Sequence, residues 1–324
     1  MKNLLLCCAL LLSVGNLAAQ PPQGGFNFPD IPEATPSPLA ESLDFREAEL
    51  TPIAEGAVEV IKNVVYAERD GMELHTHIIY PKNAVGSLPC IIYVPGSAWF
   101  KQNIDMSLPN MERFAARGYV VALVEYRPST VAHFPAQAED AKTATRFMRK
   151  NAERYHVDTD NVFAWGDSSG GHTALLLGYT SGVQSLDTDL YGDYSDKVNA
   201  VVDYYGPADL VTIAAVPNVL NPDPKTSPEA VLIGSPIADN IPEARRASPV
   251  DYATAHVPPT LVAHGNKDFV VPMSQSNEMA EALDKARANY VYYCLLGGGH
   301  GSREFWTDPM FDIVDAFLQS HLNK

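Results

Sequence analysis

At 324 residues, 46% hydrophobic and 19% charged, the chain has the length and composition of one large α/β domain, and nothing in it reads as a second core. Its net charge of −16, from 23 basic and 39 acidic residues, argues against nucleic acid, whose binding is driven by phosphate neutralisation, and against anionic membrane surfaces. No Cys-x-x-Cys or His-Glu-x-x-His pattern occurs, so a zinc site has no motif behind it and neither a metal nor an organic cofactor is expected.

Met1-Lys2-Asn3, the apolar run over residues 4–14 and small residues up to Ala19 predict a signal peptide over residues 1–19. It is too short for a membrane span, and it implies an exported protein, periplasmic or extracellular. A lipoprotein reading at Cys7 fits poorly, because too little chain precedes that cysteine to form a hydrophobic segment. Residues 20–56 are rich in proline and polar residues and lack periodicity, as a flexible tether or a strap over the domain would. The catalytic domain is then expected over residues 57–324.

Residues 58–66 and 74–80 read as strands joined by Arg69-Asp70-Gly71, a hairpin signal. His75 and His77 share one face of the second strand and could pair on a metal, but no third ligand is near in sequence, which favours surface positions on an edge hairpin. From Pro89 strands and helices alternate. Residues 90–94 form a continuous apolar run, as a strand covered on both faces should. A helix over 108–117, a strand over 119–124 and a helix opened by Pro135 follow. Further strands are expected at 162–165, 201–205, 259–264 and 290–296, and helices at 274–288 and the C-terminus. In the first of these helices Met279, Ala282, Leu283 and Ala286 share a face; in the last one Met310, Val314, Phe317 and Leu318 point inward. This alternation predicts an α/β fold with a mostly parallel central sheet and helices on both faces. Residues 207–250 break it with a long, proline-spaced stretch after a strand's carboxyl end, the edge where open sheets bind ligands, and read as a small cap insertion. Within residues 187–196, Asp-x-Asp-x-Tyr-Gly imitates the start of a calcium loop, but Tyr191 and Val198 stand where ligands belong, which excludes one.

The chemistry centres on Gly166-Asp167-Ser168-Ser169-Gly170-Gly171, which ends an apolar run and opens a helix-forming one. This is a Gly-x-Ser-x-Gly nucleophile elbow in the strand–turn–helix context that the motif requires, with Ser168 as nucleophile. A serine hydroxyl needs a base, and the base needs an orienting acid. Asp268 and His300 each follow a predicted strand, in the loops Gly265-Asn266-Lys267-Asp268 and Gly297-Gly298-Gly299-His300-Gly301. In a parallel sheet those loops open on the same edge as Ser168, so the three converge without further assumption. His172 lies one helical turn past the serine and aims away from it, and His264 sits inside a strand. The oxyanion donors expected are the backbone N–H of Ser169 and those of Ser97 and Ala98, in the loop Pro95-Gly96-Ser97-Ala98-Trp99. Trp99 and Pro207 are candidates for the substrate pocket.

With these residues, the chain resembles α/β-hydrolases of the hormone-sensitive-lipase-like carboxylesterase branch, near bacterial acetylxylan and feruloyl esterases. The resemblance runs from Val58 to the C-terminus. It includes Glu125-Tyr126-Arg127, Phe134-Pro135, Gly166 through His172, Tyr205-Gly206-Pro207-Ala208-Asp209-Leu210, Ser227-Pro228-Glu229, Leu232-Ile233-Gly234 and Val271-Pro272. It implies an α/β-hydrolase fold and hydrolysis of small acyl esters, such as acetyl or feruloyl groups on carbohydrate, through an acyl-enzyme. The family often has His-Gly-Gly-Gly-Trp at the oxyanion loop; here Pro95, Ser97 and Ala98 depart from it, as does Asn266 where Asp is common. The resemblance also places Cys90 on a central strand and Cys294 on the last one, which predicts two buried free thiols. The alternatives are a prolyl-oligopeptidase-like serine peptidase and a catalytically silent binding protein that keeps the fold. A large N-terminal domain of the kind such peptidases carry is not read here, and the polar residues mixed into the cap suit a small pocket better than a lipase lid.

Overall fold

The computed structural model describes residues 33–215 and 225–323. The expected signal peptide, the first part of the tether and the middle of the expected cap lie outside the described residues.

Nine strands form one sheet: β1 Glu41–Leu43, β2 Val58–Arg69, β3 Met72–Pro81, β4 Leu88–Val94, β5 Val120–Val124, β6 Val157–Asp167, β7 Val201–Tyr204, β8 Thr260–Gly265 and β9 Tyr290–Leu295. Their order is β1-β9-β8-β7-β6-β4-β5-β3-β2, and every pairing is parallel except β2 with β3 and β3 with β5. The expected mostly parallel α/β sheet is what forms. The alternation of side chains along β4 shows why both faces are covered. Cys90, Ile92 and Val94 enter one core, whereas Ile91 and Tyr93 enter the other. The first core is roofed by helices α2 (Ala136–Lys150), α3 (Ser169–Tyr179) and α4 (Ser274–Ala286), the second by α1 (Leu108–Ala115) and α5 (Asp308–Ser320).

Several expectations change in detail. The described part of the tether is a strap, since β1 adds a parallel strand to the β9 edge and Leu39 and Ala40 pack on the core. The helix α5 buries Met310, Phe311, Val314 and Leu318, while Phe317 is half-buried and lies against His321. In α4, Met279 and Leu283 are buried with Gln275, Ser276 and Ala280, and Ala282 and Ala286 are only half-buried. The β2–β3 hairpin does form one edge of the sheet, with β2 outermost, but His77 is buried instead of lying on the surface. His75 Nδ1 is 3.0 Å from Glu125 Oε2, and His77 Nε2 is 3.2 Å from Asp105 Oδ1. In the acidic loop before β7, Asp187 and Asp196 face Arg146 at 2.8 and 3.5 Å, so a basic side chain stands where a cation would. Among the described residues no helix is long and apolar enough to cross a membrane.

The described part of the expected cap is a chain of short helices, Leu210–Ile213, Pro228–Ile233 and Ile241–Arg246. Asp209, Ser227 and Asn240 cap them through hydrogen bonds to backbone N–H groups.

Candidate active site

Ser168 ends β6 and precedes α3, at φ 54° and ψ −128°. A non-glycine residue holds that conformation only when its surroundings enforce it. Two glycines let them do so. A Cβ on Gly166 would fall 2.1 Å from the Gly170 carbonyl, and one on Gly170 would fall 1.9 Å from the Val94 carbonyl. The strand and helix therefore approach backbone to backbone, and Ser168 is thrown out at the tip while remaining 8% exposed.

The loops after β8 and β9 bring the other two expected residues to it. His300 Nε2 lies 2.9 Å from Ser168 Oγ, and His300 Nδ1 lies 2.7 Å from Asp268 Oδ2. The remaining oxygen of Asp268 accepts the N–H groups of Val270 and Val271, at 2.8 and 2.9 Å. Burial works to raise the Asp268 pKa, but the facing His300 and His264 and the hydrogen bonds from both outweigh it. They hold the carboxyl well below the usual carboxylate range. An ionised acid fixes one tautomer of His300, with Nδ1–H donating to Asp268 and Nε2 free to accept the Ser168 proton.

Two side chains support this arrangement without being foreseen from the sequence. His264 is fully buried in β8. Its Nε2 faces the Val271 carbonyl at 3.0 Å and Asp268 Oδ2 at 3.4 Å, both acceptors only, so it carries the proton and donates toward the acid. Its Nδ1 then accepts from Ser276 Oγ at 2.7 Å. Tyr205, at φ 45°, lays its ring 4.7 Å from that of His300 and is itself buttressed by Phe305. A histidine four residues before the acid at a strand end was the available signal for the first. Nothing local in sequence signals the second.

The three expected oxyanion donors separate. Ser97 N–H donates to Ser169 Oγ at 2.8 Å, so it is engaged within the protein. No hydrogen bond ties up the Ala98 N–H or the Ser169 N–H among the described residues, and Ser169 directly follows the nucleophile candidate in sequence. Ala98 and Trp99 both have positive φ, 53° and 57°, where the loop would ordinarily favour glycine. The loop is pinned from below: Gly96 N–H and the Tyr93 hydroxyl both donate to Asp167 Oδ1, at 3.0 and 2.7 Å. Of the two pocket candidates, Trp99 is 1% exposed, with its indole N–H donating to His172 Nδ1 at 3.2 Å, and Pro207 is buried. Both are packed into the body of the protein. His172 must then be the Nε2–H tautomer, donating to the Ala247 carbonyl at 2.7 Å. Burial lowers its pKa to about 4, so it is a neutral strut between oxyanion loop and cap.

Chemically, the arrangement offers a hydroxyl with a base in line, an acid behind the base and N–H donors for an oxyanion. Among the described residues no cluster of three or more His, Cys, Asp or Glu side chains is placed to hold a metal ion.

Comparison with known proteins agrees with the fold. The family profile described as BD-FAE matches residues 76–283. Esterase LipC of Mycobacterium tuberculosis is 31% identical over 70% of this chain and 54% of its own length. A probable isoprenylcysteine alpha-carbonyl methylesterase of Arabidopsis thaliana, ICMEL1, is 23% identical over 80% of this chain and 54% of its own. The chain spans about half the length of the curated relatives it matches. Among solved structures, a truncated carbohydrate esterase from gut microbiota superposes with a TM-score of 0.76 at 30% identity, covering 84% of this chain and 99% of that one. The propionate-bound esterase Est2 of Thermogutta terrifontis superposes with a TM-score of 0.65 at 25% identity, covering 82% and 94%. The chain belongs to the BD-FAE family and has the α/β-hydrolase fold.

Proposed function

We propose that the protein is an exported serine carboxylesterase that hydrolyses small acyl esters, acetyl or feruloyl groups on carbohydrate being the candidates. The observation that carries this reading is the continuous run of contacts from Asp268 through His300 to Ser168, at 2.7 and 2.9 Å. Ser168 Oγ attacks the ester carbonyl carbon as His300 Nε2 takes its proton. The oxyanion is held by the Ala98 and Ser169 N–H groups. Collapse breaks the bond to the alcohol, which leaves with the proton from His300. Water then adds to the acyl-enzyme with His300 again as base, and the acid departs. Esterase names among the relatives and a carbohydrate esterase among the similar structures support the reaction class and the substrate class. The leader over residues 1–19 supports export.

Steady-state hydrolysis of nitrophenyl esters tests it. Ser168→Ala and His300→Ala are each expected to lose on the order of a thousandfold or more in kcat while remaining folded, with the two losses not additive. Asp268→Asn should cost less than either. Rates are expected to fall steeply beyond about four to six acyl carbons, since a short pocket cannot bury further methylenes at ~0.8 kcal/mol each. A fluorophosphonate probe should label the wild type and not Ser168→Ala. Near-normal turnover by His300→Ala would remove the base assignment. Cleavage of prolyl peptides in preference to esters would favour a peptidase, and an unlabelled wild type would favour a silent binding protein.

A further inference from the structure

The base sits in Gly297-Gly298-Gly299-His300-Gly301, a run with little backbone rigidity of its own. Gly297 and Gly301 have φ of 76° and 65°, so the loop adopts turns that side chains would resist. Something outside the run must hold His300 in reach of both Asp268 and Ser168. The acid loop supplies part of it: Lys267 N–H donates to the Gly298 carbonyl at 2.9 Å, and a Cβ on Gly265 would lie 2.2 Å from that same oxygen.

The rest comes from the strap, residues 33–51, at three places. Beside β9, the Leu43 carbonyl accepts Leu296 N–H at 2.8 Å, and the aliphatic stem of Arg46 lies against Gly297. Beyond His300, Arg303 donates to the Ala48 carbonyl at 2.6 Å. Between the two loops stands Asn266. Its backbone carbonyl accepts Ala34 N–H at 2.7 Å, and its Oδ1 accepts Gly297 N–H at 2.7 Å. The Gly297 N–H can only donate, which turns the amide oxygen toward it and the NH2 toward Glu33. That NH2 donates to Glu33 Oε2 at 3.3 Å, while Lys267 Nζ lies 3.0 Å from Glu33 Oε1.

We infer that Asn266 is a positioning residue that fixes the spacing between the acid and base loops, and that the strap holds Asn266 in place through Glu33 and Ala34. An aspartate, the residue common here among the esterases that the chain resembles, could still accept from Gly297. It could not donate to Glu33, and it would set a second carboxylate against the first. Asparagine at 266 and an ordered strap are therefore two halves of one contact.

The inference rests on the serine-esterase reading, and its test keeps the two apart. In the full chain, Asn266→Asp should lower kcat about tenfold with KM little changed, the effect of losing ~1.4 kcal/mol of transition-state stabilisation through misplacement of the base. The Glu33→Gln/Asn266→Asp double variant should return kcat to within about twofold of wild type, because a glutamine amide can donate to the new carboxylate. Proton NMR of the His300 Nδ1–H, a readout that needs no turnover, should show faster exchange in Asn266→Asp and recovery in the double variant. An Asn266→Asp enzyme with wild-type kcat and exchange, a loss carried by KM alone, or a loss that Glu33→Gln leaves in place would each overturn the inference. A wild type that hydrolyses no ester would overturn the esterase reading instead, and the His300 proton would still report on the strap.

Discussion

Ser97 N–H can only donate and the Phe100 carbonyl can only accept, and between them runs a chain of hydroxyl contacts through Tyr126, whose hydroxyl also donates to the Pro95 carbonyl at 3.2 Å. The Ser97 hydroxyl donates to Phe100 at 2.7 Å, so it accepts from the Tyr126 hydroxyl at 2.8 Å. Tyr126 in turn accepts from the Ser169 hydroxyl at 3.2 Å, and Ser169 Oγ accepts Ser97 N–H at 2.8 Å. The circuit closes on Ser97. It accounts for both serines: at 97 where the resembled family often has glycine, and at 169 beside the nucleophile. Each hydroxyl restrains a loop whose positive-φ residues, Ala98 and Trp99, have side chains. Ser169→Ala opens the circuit. Its kcat for acetate esters should fall about tenfold with KM little changed, less than the loss of a whole oxyanion donor. A rise in kcat would mean that the released Ser97 N–H serves the oxyanion better than it serves the loop. The meeting of Ser168, Asp268 and His300 was legible in the sequence because an elbow and two strand ends suffice to bring them together. His264, Tyr205 and the Ser97–Ser169 contact were not, because each depends on side chains meeting across distant parts of the chain.

The strands with continuous apolar runs, β4 and β5, are where sequence and structure agree most closely. Burial on both faces leaves a signal that needs no partner to read. The start of β6 lacked it. Residues 157–161 include Asp158, Thr159 and Asp160, and they extend only because Leu88 pairs with Val157 across a register shift. The strand β1 was illegible for a related reason: three residues, none of them buried, become a strand by docking on β9. The sheet order itself carries a test. Cys90 lies in β4 and Cys294 in β9, with β6, β7 and β8 between them. At about 4.8 Å per strand the sulfurs stand far beyond the reach of a disulfide, which tolerates about 7 Å between Cα atoms. Both are buried free thiols, and burial pushes their pKa values up to about 12 and about 11. Alkylation of the unreduced protein should therefore modify neither cysteine while it is folded and both after denaturation. A 90–294 cross-link in an unreduced digest would contradict the strand order.

At the centre of the molecule, between the elbow helix and the sheet, lies a carboxyl for which the proposed chemistry has no use. Asp203 in β7 is fully buried, and its Oδ1 accepts Gly206 N–H at 2.9 Å. A Cβ on Gly171 would come within 2.3 Å of that same oxygen, while Oδ2 has no hydrogen-bond partner among the described residues. Burial outweighs the Gly206 hydrogen bond and pushes its pKa up to about 7, from 3.8 for an ordinary aspartate. Below 3.8 both the folded and the unfolded chain hold this proton, and the group leaves stability unchanged. Between 3.8 and about 7 the unfolded chain releases it while the folded protein keeps it, so stability falls as pH rises, and the fall ends above about 7. Self-repulsion of a chain carrying a net charge of −16 also grows with pH, so the wild type alone cannot isolate the effect. Asp203→Asn can. Its amide oxygen still accepts from Gly206, its unpartnered NH2 costs about 1–3 kcal/mol at every pH, and no carboxylate is buried. The melting temperature of the variant should lie below wild type near pH 5 and gain on it steadily toward about pH 8, where it meets or passes it. Two melting curves that run parallel across that range would show that Asp203 titrates like an exposed aspartate and that the centre of the sheet is not as dry as its packing implies.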